Sequence, residues 1–347
     1  MFKKIVVVGP EHPDTLPKSV LETLREMGYS AEPVDERELF GFSFKKGMEK
    51  GGRLGLWTKT KKAAIETFIK ASPKFEARVY GRLAKTVQKY KPDLVIFHSA
   101  WIPPQTIGWL KKNTNAKIIC WFPDHPGNIG RQYIFAAPYD CVFFKDRWLV
   151  ERARLLGKNA HYLPEACMPK WHKRVPLTEK EQETYGCDIT IAGNMYYYRA
   201  MIFEELVKKY KVKLWGSFPR WVDSPAKKAF QGRNVMELEK AKAFNAAKIV
   251  VNTFQGEVFG VNQRFFEIAG CGGFQICEHR DIIQEFFKIG EEIITFYTIG
   301  DLIEKIGYYL AHPEERKKIA DAAYVRAHKE HTFEKRLEKM LEIISNI

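Results

Sequence analysis

Short apolar runs that stop at glycine, proline or a polar turn recur along this chain, with stretches of helical period between them. The first set is Ile5–Val8, Leu94–Phe97, Ile118–Phe122, Cys141–Phe144 and His161–Leu163. The second is Asp188–Ala192, Val212–Trp215, Ile249–Asn252, Phe274–Cys277 and Ile293–Phe296. The runs are continuous rather than alternating, as in parallel strands covered on both faces. Ser19–Met27, Ile202–Tyr210 and Leu302–Leu310 supply helices between them. Strand and helix alternating in this way give α/β layers built on parallel sheets.

The two sets are separated by Pro164–Pro176, a segment with three prolines and a charge run, followed by the polar stretch Leu177–Tyr185. That composition reads as a linker, and 347 residues suit two domains. We therefore expect one doubly wound domain over residues 1–175, a second over 176–330, and a closing helix over 331–347. His331-Thr332 supplies an N-cap between two charged amphipathic helices in Pro313–Ile347.

Lys and Arg number 56 against 42 Asp and Glu, a net charge of +14. That excess implies an anionic partner: nucleotide phosphate, nucleic acid or an acidic membrane. The basic segment Lys45–Lys74 holds the run Arg53–Lys62, in which Leu54, Leu56 and Trp57 are interleaved. It suits an anionic acceptor or a peripheral membrane contact, or else a solvated helix packing its apolar residues. The six cysteines form no Cys-x-x-Cys pair and read as reduced core thiols. The apolar run at the start is too short for a signal peptide, and no stretch approaches the roughly 20 residues that cross a bilayer. A cytoplasmic location is the expectation. No Asp-x-Asp motif offers a metal ligand pair, and His328-x-x-His331 reads as a solvated face. Gly9–Pro13 lacks the dinucleotide fingerprint, so no tightly bound NAD or FAD is expected.

The most informative stretch is Lys248–Cys277: a strand, a glycine-containing loop, a helix starting near Val261 or Asn262, a glycine turn and another strand. A helix N-terminus after a strand offers free N–H groups and a positive dipole end to a phosphate. Arg264 in the first turn adds a bidentate fork. Glu267 lies one to two turns on, where a carboxylate can accept both hydroxyls of a ribose. The competing reading makes Glu267 a solvated helix residue paired with Arg264.

Gly260-Val-Asn-Gln-Arg-Phe-Phe-Glu-Ile-Ala-Gly-Cys-Gly-Gly273 resembles the donor-site segment of the CgeB-like, spore-maturation-type glycosyltransferases, relatives of the family-4 GT-B enzymes. The likeness continues through Ile289–Ile294, Asp301–Leu310, His312–Arg316 and Glu330–Arg336, and upstream through Ile191–Arg199 and Leu214–Gly216. In the first half, Trp121–Pro126 and Tyr162–Ala166 match. The resemblance implies a GT-B fold, α/β, with two Rossmann-like doubly wound domains facing across a cleft and C-terminal helices returning to the N-terminal domain. It implies a metal-independent hexosyltransferase, retaining in outcome, that moves a sugar from a nucleotide-sugar donor, a UDP-sugar first, to an unidentified hydroxyl acceptor: a glycan, a protein or another molecule. Gly193, Asn194, Arg199, Gly260, Val261, Asn262, Arg264 and Glu267 would then bind the donor. Glu267 takes the ribose position of the family's Glu-x7-Glu motif and Arg199 that of a basic residue on the diphosphate. The motif's first Glu falls at Phe259 here, with Glu257 two residues away.

In the first half, His98 follows the strand Leu94–Phe97, and Asp124 and His125 follow Ile118–Phe122, at carboxyl ends where open α/β sheets hold ligands. Asp124 or His125 suits a general base toward the acceptor, and His98 a second group facing the donor sugar. The alternatives are a turn-capping Asp and a structurally bonded His. Tyr196, Tyr197, Tyr198 and Trp101 suit sugar or base subsites, or core packing. Two other functions fit the same residues: a nucleic-acid-directed glycosyltransferase or binder using the +14 charge, and a non-catalytic GT-B protein that binds a ligand.

Overall fold

The computed structural model describes residues 2–36, 64–65, 67–126, 130–254 and 259–347. Glu257 and residues 45–63 of the basic segment, the run Arg53–Lys62 included, lie outside them. The chain divides into two compact units, Met1–Leu163 with Leu337–Ile347, and Pro164–Arg336.

The first unit is built on a parallel sheet of β1 (Lys4–Val8), β2 (Ser30–Val34), β3 (Leu94–Phe97), β4 (Lys117–Phe122), β5 (Cys141–Phe144) and β6 (Ala160–Tyr162) in the order β2-β1-β3-β4-β5-β6. All four residues of β3 are fully buried, which accounts for the continuous apolar run. β2 was not anticipated. It alternates in burial and carries Pro33, and its place at the sheet edge tolerates a residue without an N–H.

The second unit repeats the plan with β7 (Cys187–Ala192), β8 (Val212–Trp215), β9 (Ala247–Asn252), β10 (Gln275–Glu278) and β11 (Ile294–Phe296), all parallel, in the order β11-β10-β9-β7-β8. Helices Tyr197–Leu206 and Ile299–Ala311 pack Ile202, Phe203, Leu206, Leu302 and Ile306 onto Ile189, Ile191, Ile249 and Val251 of the sheet.

The strand orders reverse once in each unit. In the first, β2 and β3 lie on opposite sides of β1; in the second, β8 and β9 lie on opposite sides of β7. Such a reversal leaves a crevice outside the carboxyl ends of the two central strands, where ligands of open α/β sheets bind.

The segment read as a linker is an integral part of the second unit. Cys167 N–H donates to the His331 carbonyl at 2.9 Å, Phe333 N–H donates to the Cys167 carbonyl at 3.1 Å, and Cys167, Met168 and His172 are buried. The contacts therefore divide the chain after Leu163 rather than after residue 175. The tail forms the expected helices, Pro313–Glu330 and Phe333–Ser345, and the Thr332 hydroxyl caps the second by accepting from Lys335 N–H at 3.3 Å. Residues from Leu337 onward belong to the first unit, so the closing helix returns to it. His331 is no solvated residue: it is buried with Nε2 2.9 Å from the Phe286 carbonyl oxygen, against Phe266 and Phe287. His328 Nε2 lies 2.9 Å from the Gly270 carbonyl oxygen.

Candidate functional site

In the second unit, the chain leaves β7 through Gly193, at φ +149°. A Cβ there would stand 2.6 Å from Nη1 of Arg264 and 3.2 Å from Nη1 of Arg199. The glycine thus allows two guanidinium groups to converge over one turn of backbone. Arg264 Nη1 donates to the Ala192 carbonyl at 2.7 Å. Arg199, almost fully buried, donates from Nε to Thr253 Oγ1 at 2.9 Å and from Nη1 to the Asn194 carbonyl. Thr253 follows β9, so the Arg199–Thr253 bond spans the ends of the two strands between which the order reverses.

Two helices begin at this crevice. Tyr197–Leu206 has no side-chain cap at Tyr196, which leaves its first N–H groups to another acceptor. Gln263–Cys271 is capped by Asn262, whose Oδ1 accepts from Phe265 N–H at 3.0 Å. Asn262 is itself held by Asn252, at 3.1 and 3.3 Å, and by the Thr253 carbonyl at 3.0 Å. Asn252 also donates to Gln275 Oε1 at 3.1 Å, which ties the helix start to β9 and β10. Val261 is buried. Phe259, at the family's first-Glu position, is half exposed.

Glu267 is neither solvated nor paired with Arg264. It is 4% exposed; Lys240 Nζ donates to Oε2 at 2.8 Å and Gln263 Nε2 to Oε1 at 2.8 Å. His172 Nε2 lies 3.4 Å from Oε1. Burial alone would raise its pKa, but the Lys240 ammonium, His172 and the two hydrogen bonds lower it to about 2, so the carboxylate is ionised at neutral pH. His172 is the reverse case: burial lowers its pKa to about 4 despite Glu267, leaving a neutral ring. Its Nδ1 accepts from Met168 N–H at 2.9 Å, so the ring proton sits on Nε2, toward the carboxylate. Lys240 and His172 were not singled out from the sequence. Lys240 lies in the helix Glu237–Ala246, and His172 in the segment read as a linker.

In the first unit, His98 stands at the matching reversal point. Its N–H donates to the Val8 carbonyl at 3.0 Å, which joins β3 to the end of β1. The ring is buried, with Nδ1 2.9 Å from the Trp121 carbonyl oxygen. Nδ1 therefore carries the proton and Nε2 presents a lone pair, with no hydrogen-bond partner among the described residues. Burial lowers the His98 pKa to about 4 against the opposing Trp121 bond. Asp124 is exposed, and His125 is half-buried with its ring stacked on Trp148 at 6.1 Å. All three lie at the carboxyl edge, after β3 and β4. Trp101, 40% exposed, follows on the same edge.

Two doubly wound parallel α/β units in one chain are the architecture of the GT-B fold. Residues 199–342 match the family described as glycosyl transferase-like. Sucrose-phosphate synthase from Thermosynechococcus elongatus superposes with a TM-score of 0.66 at 13% identity, covering 99% of this chain and 98% of its own. HepE of Anabaena, solved in complex with UDP-glucose, superposes with a TM-score of 0.67 at 10% identity over 100% of both chains. The chain is also similar to the spore protein CgeB of Bacillus subtilis (strain 168), 24% identical over 279 residues, 74% of this chain and 84% of CgeB.

Proposed function

We propose that this chain transfers a sugar from a nucleoside-diphosphate sugar to a hydroxyl acceptor, without a metal ion. The observation that carries the reading is the convergence of Arg199 and Arg264 over Gly193. A diphosphate lying between two converging guanidinium groups accepts bidentate, charge-assisted bonds from both. The uncapped start of Tyr197–Leu206 adds N–H groups with the same preference. HepE, of the same fold, binds UDP-glucose, which favours a UDP-sugar here.

In the reaction the bond between the sugar's anomeric carbon and the diphosphate oxygen breaks, and a bond to the acceptor oxygen forms. The nucleoside diphosphate leaves with the electron pair, and the acceptor hydroxyl gives up its proton. Guanidinium forks stabilise the charge growing on the leaving group, the task a divalent cation would otherwise perform. Gly193, Asn194, Gly260, Val261 and Asn262 shape the backbone around the diphosphate. Glu267, anionic and fixed by Lys240, would accept the ribose hydroxyls. Asp124, exposed at the carboxyl edge, is assigned to the acceptor with His125, and Nε2 of His98 to a sugar hydroxyl. A hexosyl group transferred with retention belongs to the same reading.

A thermal-shift screen with UDP-, GDP-, ADP- and dTDP-sugars tests it. One donor series should stabilise the protein by about 2.7 kcal/mol at a hundredfold excess over its dissociation constant. No shift with any of them would overturn the proposal.

A further inference from the structure

The carboxyl edge of the second unit carries a strip of aromatic rings that the donor reading leaves unused. Trp221, in the loop after β8, is 62% exposed, and Tyr197 and Tyr196 beside it are 47% and 39% exposed. The Tyr196 and Trp221 rings stack with centroids 6.5 Å apart and 26° between planes; the Tyr197 ring lies 6.0 Å from Trp221 at 48°. Adjoining exposed rings of this size form an apolar face rather than scattered surface residues.

The strip is held in position. The Tyr197 hydroxyl donates to the Trp221 carbonyl at 2.8 Å and accepts from Asp223 N–H at 3.3 Å. Val222, the next residue, is fully buried, so the loop is anchored while its indole faces water. Its rim is polar: Asn194 Nδ2 donates to the Tyr196 hydroxyl at 3.3 Å, and Ser217 Oγ donates to Asn194 Oδ1 at 2.6 Å. Asn194 adjoins Gly193, so the rings continue directly from the turn where the two guanidiniums converge.

We infer that this strip is a carbohydrate subsite that holds the acceptor as a glycan. A pyranose has an apolar C–H face and a ring of hydroxyls at its edge, which matches open aromatic faces bordered by amide and hydroxyl groups. Successive rings inclined to one another suit successive sugar units. A nucleobase is usually gripped in a slot, and a protein partner would need a broader apolar patch. The acceptor role rests on the donor reading of the Gly193 cluster; glycan binding does not.

The test is an array of neutral, amino-sugar and deoxysugar oligosaccharides probed with labelled wild type, Trp221→Ala and Trp221→Phe, with UDP titrated calorimetrically into each. We expect wild type to retain at least one oligosaccharide. Trp221→Ala should weaken that binding by about tenfold or more while Trp221→Phe keeps most of it, and UDP affinity should stay within about twofold in both. The inference is overturned if wild type retains none, if Trp221→Ala binds as wild type does, or if UDP affinity falls together with glycan binding, which would give the rings to the base. Glycan binding lost in Trp221→Ala, by a protein that binds no UDP, would uphold the subsite and reject the donor reading.

Discussion

The two units solve the same topological problem with opposite chemistry. Each has a parallel sheet whose strand order reverses once, and each places a glycine with positive φ at the end of its central strand, Gly9 at +158° and Gly193 at +149°. Around Gly9 the neighbours are Pro17 and His98; around Gly193 they are Arg264 and Arg199. At the first turn the nearest side chain that carries chemistry is the His98 imidazole, whose Nε2 has no partner among the described residues, whereas at the second two guanidinium groups converge. The contrast puts an uncharged ring beside one turn and two cations beside the other.

The largest effect should come from the buried ion pair behind the cationic edge. Lys240→Met leaves the Glu267 carboxylate buried without its main counter-charge, which costs about 3–5 kcal/mol of stability. Chemical denaturation measures this, and adding Glu267→Gln should recover much of the loss. A Lys240→Met protein as stable as wild type would mean the pair is not buried as described.

The comparison itself breaks on the next experiment. Arg264→Ala and Arg199→Ala should each weaken UDP binding by about 2 kcal/mol, roughly thirtyfold, since each removes charge-assisted hydrogen bonds. His98→Ala should leave UDP affinity unchanged. If calorimetry gives all three the same loss, the crevices are not chemically distinct.

The smallest effect is acid sensitivity, which sharpens the contrast between neutral histidines and the ionised carboxylate. His98, His172 and His331 have folded pKa values lowered to about 4. The unfolded chain therefore binds their protons first, and stability falls as pH drops from about 6.5 toward 4. Glu267, lowered to about 2, adds a second loss between about 4.5 and 2. Denaturation midpoints across pH should fall in these two stages. Replacing His331 with Phe should shrink the first stage only.

Much of this was legible in the sequence because the relevant residues act through backbone pattern. Ile5–Val8 and Leu94–Phe97 are central strands, and a buried parallel strand must be apolar at every position. Ser30–Val34 escaped because an edge strand is free to alternate and to hold Pro33. The prolines of Pro164–Pro176 signal irregular backbone correctly, but they do not say that Cys167 pairs with His331 and Phe333. In the candidate site, Arg264 and Glu267 stood out by position on a helix that follows a strand, and Arg199 through the family resemblance. Lys240 did not, because its partner lies 27 residues away and only packing brings the two together. Trp221 was missed for the same reason: its loop carries no motif, and its significance comes from the tyrosines stacked beside it.

The helix Phe333–Ser345 begins in one unit and ends in the other, and Leu337, Met340 and Ile344 are buried. During translation the unit that emerges first must wait for residues synthesised after the whole of its neighbour. The neighbour, Pro164–Arg336, is contiguous and can be complete while the first sheet still lacks its closing helix.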